Sequence, residues 1–205
     1  MFITLEGIDR SGKTTQARML ADALGPDVVL VREPGGTPES ERIRELVKDP
    51  ALRLSPLTET LLFGAARAEL IEQVVRPALE AGKVVVCDRY IDSTVAYQGG
   101  ARGLGIEVVE QLNDWIAGGL WPDVTFLLEI GPAAAGGRAG DRRPDRIEDE
   151  GEHLQRAVAA AYEQLAVRHP ERFVRIDATR PVDDVHAEIV GWIRASANPP
   201  GALGS

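Results

Sequence analysis

Eight residues near the start of the chain, Gly7-Ile8-Asp9-Arg10-Ser11-Gly12-Lys13-Thr14, follow the pattern G-x-x-x-x-G-K-[ST] and leave few architectures open. They come directly after the apolar run 2–5. They lead into a stretch, residues 14–24, whose Ala17, Leu20, Ala21 and Leu24 recur at helical spacing until Gly25 and Pro26 end it. Glycines at both ends let successive backbone N–H groups converge on phosphate oxygens, and the start of the helix adds its positive dipole end. Lys13 is placed to reach the β and γ phosphates and the Thr14 hydroxyl to hold Mg²⁺, with Ile8, Asp9, Arg10, Ser11 and Thr15 completing the cradle. A turn that merely joined strand to helix would not need the Lys-Thr pair. The loop therefore predicts a nucleoside triphosphate. GTPases, transport ATPases, helicases and small-molecule kinases all use such a loop, so the activity has to be read elsewhere.

A second apolar run at 28–31 completes a strand–helix–strand unit, and runs at 84–87, 124–130 and 173–176 each follow a helical stretch. Five strands interleaved with helices predict an α/β domain with three layers, a doubly wound five-stranded parallel sheet. The longest helical pattern covers 57–79, where Leu62, Ala66, Leu70 and Val74 form one apolar row; Pro77 is expected to kink or end its last turn. Residues 136–150 combine glycines with charges of both signs and read as a mobile lid loop. Residues 198–205 read as a frayed tail, so the domain is expected to span 1–197.

At 205 residues and 44% hydrophobic, the chain suits one domain with one core. Its 23 basic against 32 acidic residues give a net charge of −9, which disfavours nucleic acid and anionic membrane surfaces as partners. Cys87 is the single cysteine, so neither an internal disulfide nor a cysteine zinc site is available. The apolar start is broken at Glu6, too short for a signal peptide, and no later run reaches membrane length. A soluble, cytoplasmic protein is the expectation. His153, His169 and His186 lack metal-ligand spacing, and Cys87 reads as a buried residue rather than a nucleophile.

Four segments in order carry a family likeness: Gly7 to Thr15; Arg-Glu-Pro-Gly-Gly-Thr from Arg32; Asp-Arg-Tyr from Asp88 with Ser-Thr-Val-Ala-Tyr-Gln-Gly ending at Gly99; and Asp-Arg-Ile-Glu from Asp145. From residue 1 to about 192 the chain resembles thymidylate kinase. The resemblance implies a P-loop NTPase fold of the nucleoside monophosphate kinase type with a short lid. It also implies transfer of the γ-phosphoryl group of Mg-ATP to thymidine monophosphate (dTMP) on the way to dTTP, and a homodimer packed through helices.

Phe63 and Arg67 stand four apart on a predicted helix and share a face, so a ring could stack on a base while a guanidinium donates to its edge carbonyl. In the family these positions hold thymine. By the same resemblance Arg89 grips the acceptor phosphate with Arg44 as a second contact, and Asp88 with Thr14 serves Mg²⁺. Thr94, Tyr97 and Gln98 meet the base and crowd the sugar's 2′ side, while Asp9 and Glu33 lie on the sugar or phosphate side. Arg138 and Arg142 join the loop at ATP. Lys13, Arg10, Arg89, Arg142 and Arg143 are the catalytic candidates. Family members place an arginine either in the loop or in the lid; this chain has Arg10 in the one and Arg138, Arg142 and Arg143 in the other. A phosphate monoester is already largely dianionic at neutral pH, so no general base is required. Two alternatives stay open on sequence. One is a deoxynucleoside kinase in which Glu33 is the base, the other a nucleotide switch, which the lack of an Asn-Lys-x-Asp segment weakens.

Overall fold

A computed structural model describes residues 1–138, 146–147 and 150–197. Its five strands are β1 Phe2–Glu6, β2 Val28–Arg32, β3 Val84–Asp88, β4 Val124–Glu129 and β5 Phe173–Asp177. All neighbours pair in parallel in the order β2-β3-β1-β4-β5, with Thr4 of β1 level with Cys87 on one side and Thr125 on the other. β1 is buried along its whole length, which its apolar sequence permits because helices cover both faces. The fold class is the expected one, and each strand lies within a residue or two of its apolar run.

The order also fixes where a ligand can bind. From β1 the chain crosses to β2 at the far edge, whereas from β3 it crosses the other way to β4. The loops that leave these two adjacent strands therefore diverge and open a crevice at their carboxyl ends. The residues at that crevice are the glycine loop after β1 and Asp88-Arg89 after β3.

The helices are α1 Lys13–Leu24, α2 Pro38–Lys48, α3 Pro56–Leu70, α4 Arg76–Glu80, α5 Ile91–Thr94, α6 Ile106–Ala117, α7 Pro132–Gly136, α8 Gly151–Arg168 and α9 Val182–Ala197. Their starts follow local chemistry. The Thr37 hydroxyl accepts from the Ser40 N–H ahead of Pro38, and the Ser55 hydroxyl from the Thr58 N–H ahead of Pro56.

The expected helix 57–79 is three pieces: α3, a π-helical turn Ile71–Val75, and α4. Pro77 does not end it. The Arg76 N–H reaches back five residues to Ile71, and the widened turn leaves Pro77 in the first turn of α4, where its missing N–H matters least. A second π-helical segment, Val95–Ala101, carries Tyr97 and Gln98 and packs on α8, with Gly100 so close to Ala161 that a Cβ would lie 2.4 Å from that side chain. Neither π segment has a periodic signature. At the expected lid, Gly136 closes the short α7 instead of opening a loop. Arg142, Arg143, Asp145, Glu148 and the tail 198–205 lie outside the described residues.

Candidate active site

Gly7 turns the chain out of β1 at φ 140°, where a Cβ would lie 2.6 Å from the Leu128 carbonyl oxygen, and Gly12 starts α1 at φ 103°. Lys13 folds back over the loop and donates to the Ile8 carbonyl at 2.6 Å and to Ser11 Oγ at 3.2 Å. Burial and then the Arg89 charge push its pKa down to about 8, against the pull of Asp88, Asp9 and Glu6. The Thr14 hydroxyl donates to Asp88 Oδ2, so the first turn of α1 and the end of β3 bring a hydroxyl and a carboxylate together. Among the described residues no three His, Cys, Asp or Glu side chains form a metal cage. A hard oxygen pair of this kind fits Mg²⁺, which takes one or two protein oxygens and completes its shell with phosphate and water.

Two cavities meet at this loop. One, of about 510 Å³, runs from Lys13 and Thr14 past Asp88 and Arg89 to Phe63, Arg67 and Gln98. The other, of about 730 Å³, extends from Gly12 and Thr15 past Arg138 to the turn between β5 and α9. Arg10, Lys13 and Thr14 line both. Arg138 spans the second by donating to the Ala178 carbonyl at 2.7 Å and, at 3.4 Å, to that of Ser11. Arg10 is exposed, and its backbone sits at φ 62°, a conformation that favours glycine.

On the far wall of the first cavity, Arg67 is only 1% exposed and its Nε and Nη2 embrace the Glu33 carboxylate at 2.9 and 2.6 Å. Nη2 also donates to Thr94 Oγ1 at 2.9 Å, and Nη1 to Asn113 Oδ1. Of the five N–H groups of a guanidinium, these contacts leave one, on Nη1. Glu33 and Thr94, expected against the nucleotide, thus meet Arg67 directly. Phe63 is partly buried one turn away and lines the cavity, as do Tyr97 and Arg44, whose Nη1 donates to the Pro34 carbonyl at 2.9 Å.

Arg89 occupies the crevice itself at φ 70°. Its guanidinium pairs with Asp9, donates to the Gly7 carbonyl at 3.1 Å and Ser93 Oγ at 3.0 Å, and lies 5.2 Å from the Tyr97 ring centroid. Burial alone would raise the Asp9 pKa, but Arg89 and Lys13 bring it below the ordinary value. Cys87 is inert here, its thiol pKa pushed well up by burial.

The two cavities thus join at Arg10, Lys13 and Thr14, in a chain whose relatives are known. The family model for thymidylate kinase matches residues 5–189. The chain belongs to the thymidylate kinase family. The Deinococcus radiodurans thymidylate kinase is 49% identical over 200 residues, 96% of each chain. That of Halothermothrix orenii is 46% identical, covering 92% of this chain and 94% of its own. The crystal structure of the Ehrlichia chaffeensis thymidylate kinase superimposes with a TM-score of 0.79 at 36% identity, over 95% of this chain and 98% of the other. As a member of this family, the protein is an ATP-dependent nucleoside monophosphate kinase.

Around this candidate site of the thymidylate kinase chain lie several residues that the sequence did not single out. Glu6 ends β1 fully buried and accepts from the Tyr90 N–H at 2.7 Å, Ser93 Oγ at 2.6 Å and the Tyr162 hydroxyl at 2.7 Å, which anchors the turn that follows Arg89. Burial and the nearby Asp92 push its pKa up to about 7. Gln155 of α8 holds Asp9 through Nε2 at 2.7 Å, and Asn113 of α6 holds Arg67. The signal that could have found one of them is Glu6 itself, a carboxylate ending an apolar strand. No helix among the described residues is long and apolar enough to cross a membrane.

Proposed function

We propose that the protein transfers the γ-phosphoryl group of Mg-ATP in line to a phosphate oxygen of dTMP, giving ADP and dTDP, the precursor of dTTP. The observation that carries this reading is the meeting of two cavities at Lys13, Thr14 and Arg10, with a paired cationic wall on the acceptor side. The acceptor oxygen attacks the γ-phosphorus as the bond to the β-bridging oxygen breaks, and no proton has to leave the acceptor first. Lys13 then spans the β and γ phosphates, while Arg89 and Arg44 seat the acceptor phosphate. Phe63 stacks on the thymine, and the remaining Arg67 N–H donates to its edge carbonyl. Thr14 and Asp88 would hold Mg²⁺, which supplies charge neutralisation for the phosphate oxygens. Arg138 closes the donor side, and Arg10 is the arginine in reach of the transferring group. Such an arginine contributes about 10³ to 10⁵ in rate.

Tyr97 beside Arg89 crowds the sugar side and favours deoxyribose. The lone buried Cys87 suits a reducing cytoplasm. A homodimer belongs to the same proposal. Leu57 and Leu61 of α3 and Val108 and Trp115 of α6 are exposed on helices that pack together, Trp115 at 80%. A second copy of the chain would cover this apolar face.

A coupled ADP-release assay across nucleoside monophosphates and thymidine, with ATP and Mg²⁺, tests the activity. The expected order is dTMP far above dCMP, with no turnover of thymidine. Turnover of thymidine but not dTMP would instead support a nucleoside kinase, a reading that the engagement of both Glu33 oxygens by Arg67 disfavours.

A further inference from the structure

Glu59 lies in the first turn of α3, is 1% exposed and does not itself line the acceptor cavity, yet it collects side chains from three directions. Gln98, which does line the cavity, donates Nε2 to Glu59 Oε1 at 2.6 Å. Arg102 donates Nε to the same oxygen at 2.9 Å and Nη2 to Oε2 at 3.3 Å. Arg146 donates Nη2 to Oε2 and, through Nε at 2.9 Å, holds the Val47 carbonyl at the end of α2. Burial alone would raise the Glu59 pKa, but the hydrogen bonds from Arg102, Arg146 and Gln98 hold it below the ordinary carboxylate value. The group is an anion at neutral pH and can only accept.

An amide beside an acceptor-only group has one permitted orientation. The Gln98 NH₂ must face Glu59, because the flipped amide would set its carbonyl oxygen against a carboxylate in a dry site. Its Oε1 makes no hydrogen bond to the described residues and is left as an acceptor on the cavity side. Thymine and uracil carry a hydrogen on ring N3 and match an acceptor there. Cytosine has a lone pair on N3 and does not.

We propose that Glu59 is a specificity-determining positioning residue: by locking the Gln98 amide it makes the acceptor pocket select pyrimidine monophosphates with an N3–H over those without one. This rests on the reading of the 510 Å³ cavity as the dTMP site. Glu59 touches no substrate, and Arg102 and Arg146 serve to keep it charged. Arg67 reads the neighbouring carbonyl separately, so Glu59 accounts for part of the selection.

The test is Glu59→Gln, which can present either an amide or a carbonyl to Gln98 and so frees the amide to flip. Steady-state rates are measured with dTMP and with dCMP at saturating ATP. The expected result is a fall of about tenfold or more in the dTMP to dCMP ratio of kcat/KM, carried by a higher KM for dTMP. A merely structural role would slow both substrates alike, and an unchanged ratio overturns the proposal. Should Glu59→Gln not fold, Glu59→Asp keeps the charge but draws it back from the Gln98 amide, and the same fall or its absence decides. The two readings fail separately: an unaltered enzyme that makes no dTDP refutes the assigned activity, whereas a selective enzyme whose variants stay equally selective refutes only the role of Glu59.

Discussion

Glu33→Gln is expected to be among the most destabilising single changes at the acceptor site. The variant keeps the size of the side chain and one carbonyl oxygen, and removes the carboxylate that pairs directly with a guanidinium 1% exposed to solvent. What would remain in direct contact with Arg67 is neutral: the Asn113 carbonyl, the Thr94 hydroxyl and the Tyr90 ring, with its centroid 5.3 Å from the guanidinium carbon. Removing one partner of a buried pair costs about 3–5 kcal/mol, because the other charge stays buried without compensation. For a chain of this length that corresponds to a fall in Tm of roughly 6–20 °C. With an m-value of about 2 kcal/mol per M, the urea midpoint should drop by about 1.5–2.5 M.

The assay is equilibrium urea unfolding of the wild type, Glu33→Gln, Arg67→Met and the double variant at pH 7.5. The double variant should lose at least about 2 kcal/mol less than the two single losses added together, since it buries no lone charge. A loss below about 1 kcal/mol for Glu33→Gln, or simple additivity, would refute the argument that this pair is dry and mutually dependent.

Three further outcomes are expected. Arg10→Gly and Arg10→Ala should slow single-turnover phosphoryl transfer alike, by tenfold or more, while the glycine variant is the more stable by about 1 kcal/mol because position 10 sits at φ 62°; equal stability, or a smaller rate loss, counts against this. Asp88→Asn should raise the Mg²⁺ concentration for half-maximal rate by about 10-fold or more, and an unaltered Mg²⁺ titration would remove Asp88 from the metal site. Glu6, with its pKa pushed up from 4.5 to about 7, keeps a proton in the native state over a window where the unfolded chain has released it. Its contribution to stability is complete below about pH 4.5 and fades by roughly 3 kcal/mol as pH rises past 7, so the stability gap between wild type and Glu6→Gln should change with pH by that amount, and a pH-independent gap would be the contrary result.

The local grammar of the chain was enough for the frame of the molecule. Buried parallel strands must be short apolar runs, and a phosphate cradle must place glycines and a Lys-Thr pair between strand and helix, so β1 to β5, α1 and the loop from Gly7 to Thr14 could be read directly. Spacing also put Phe63 and Arg67 on one face, and family resemblance supplied Arg89 and Asp88. What these side chains are bound to could not be read. Arg67 meets Glu33 across 34 positions and Asn113 across 46, and Glu6 meets Tyr162 across 156. Nothing in the residue types says that Arg67 is a buried cation with one N–H to spare, or that a carboxylate on α3 turns the amide of Gln98. The π-helical turns were likewise invisible, since a single extra residue in a turn leaves the hydrophobic period almost unchanged. Strand, helix and phosphate loop are decided by forces acting within a few residues. The charge and hydrogen-bond state of the site is decided by burial, and burial exists only once distant segments have closed around it.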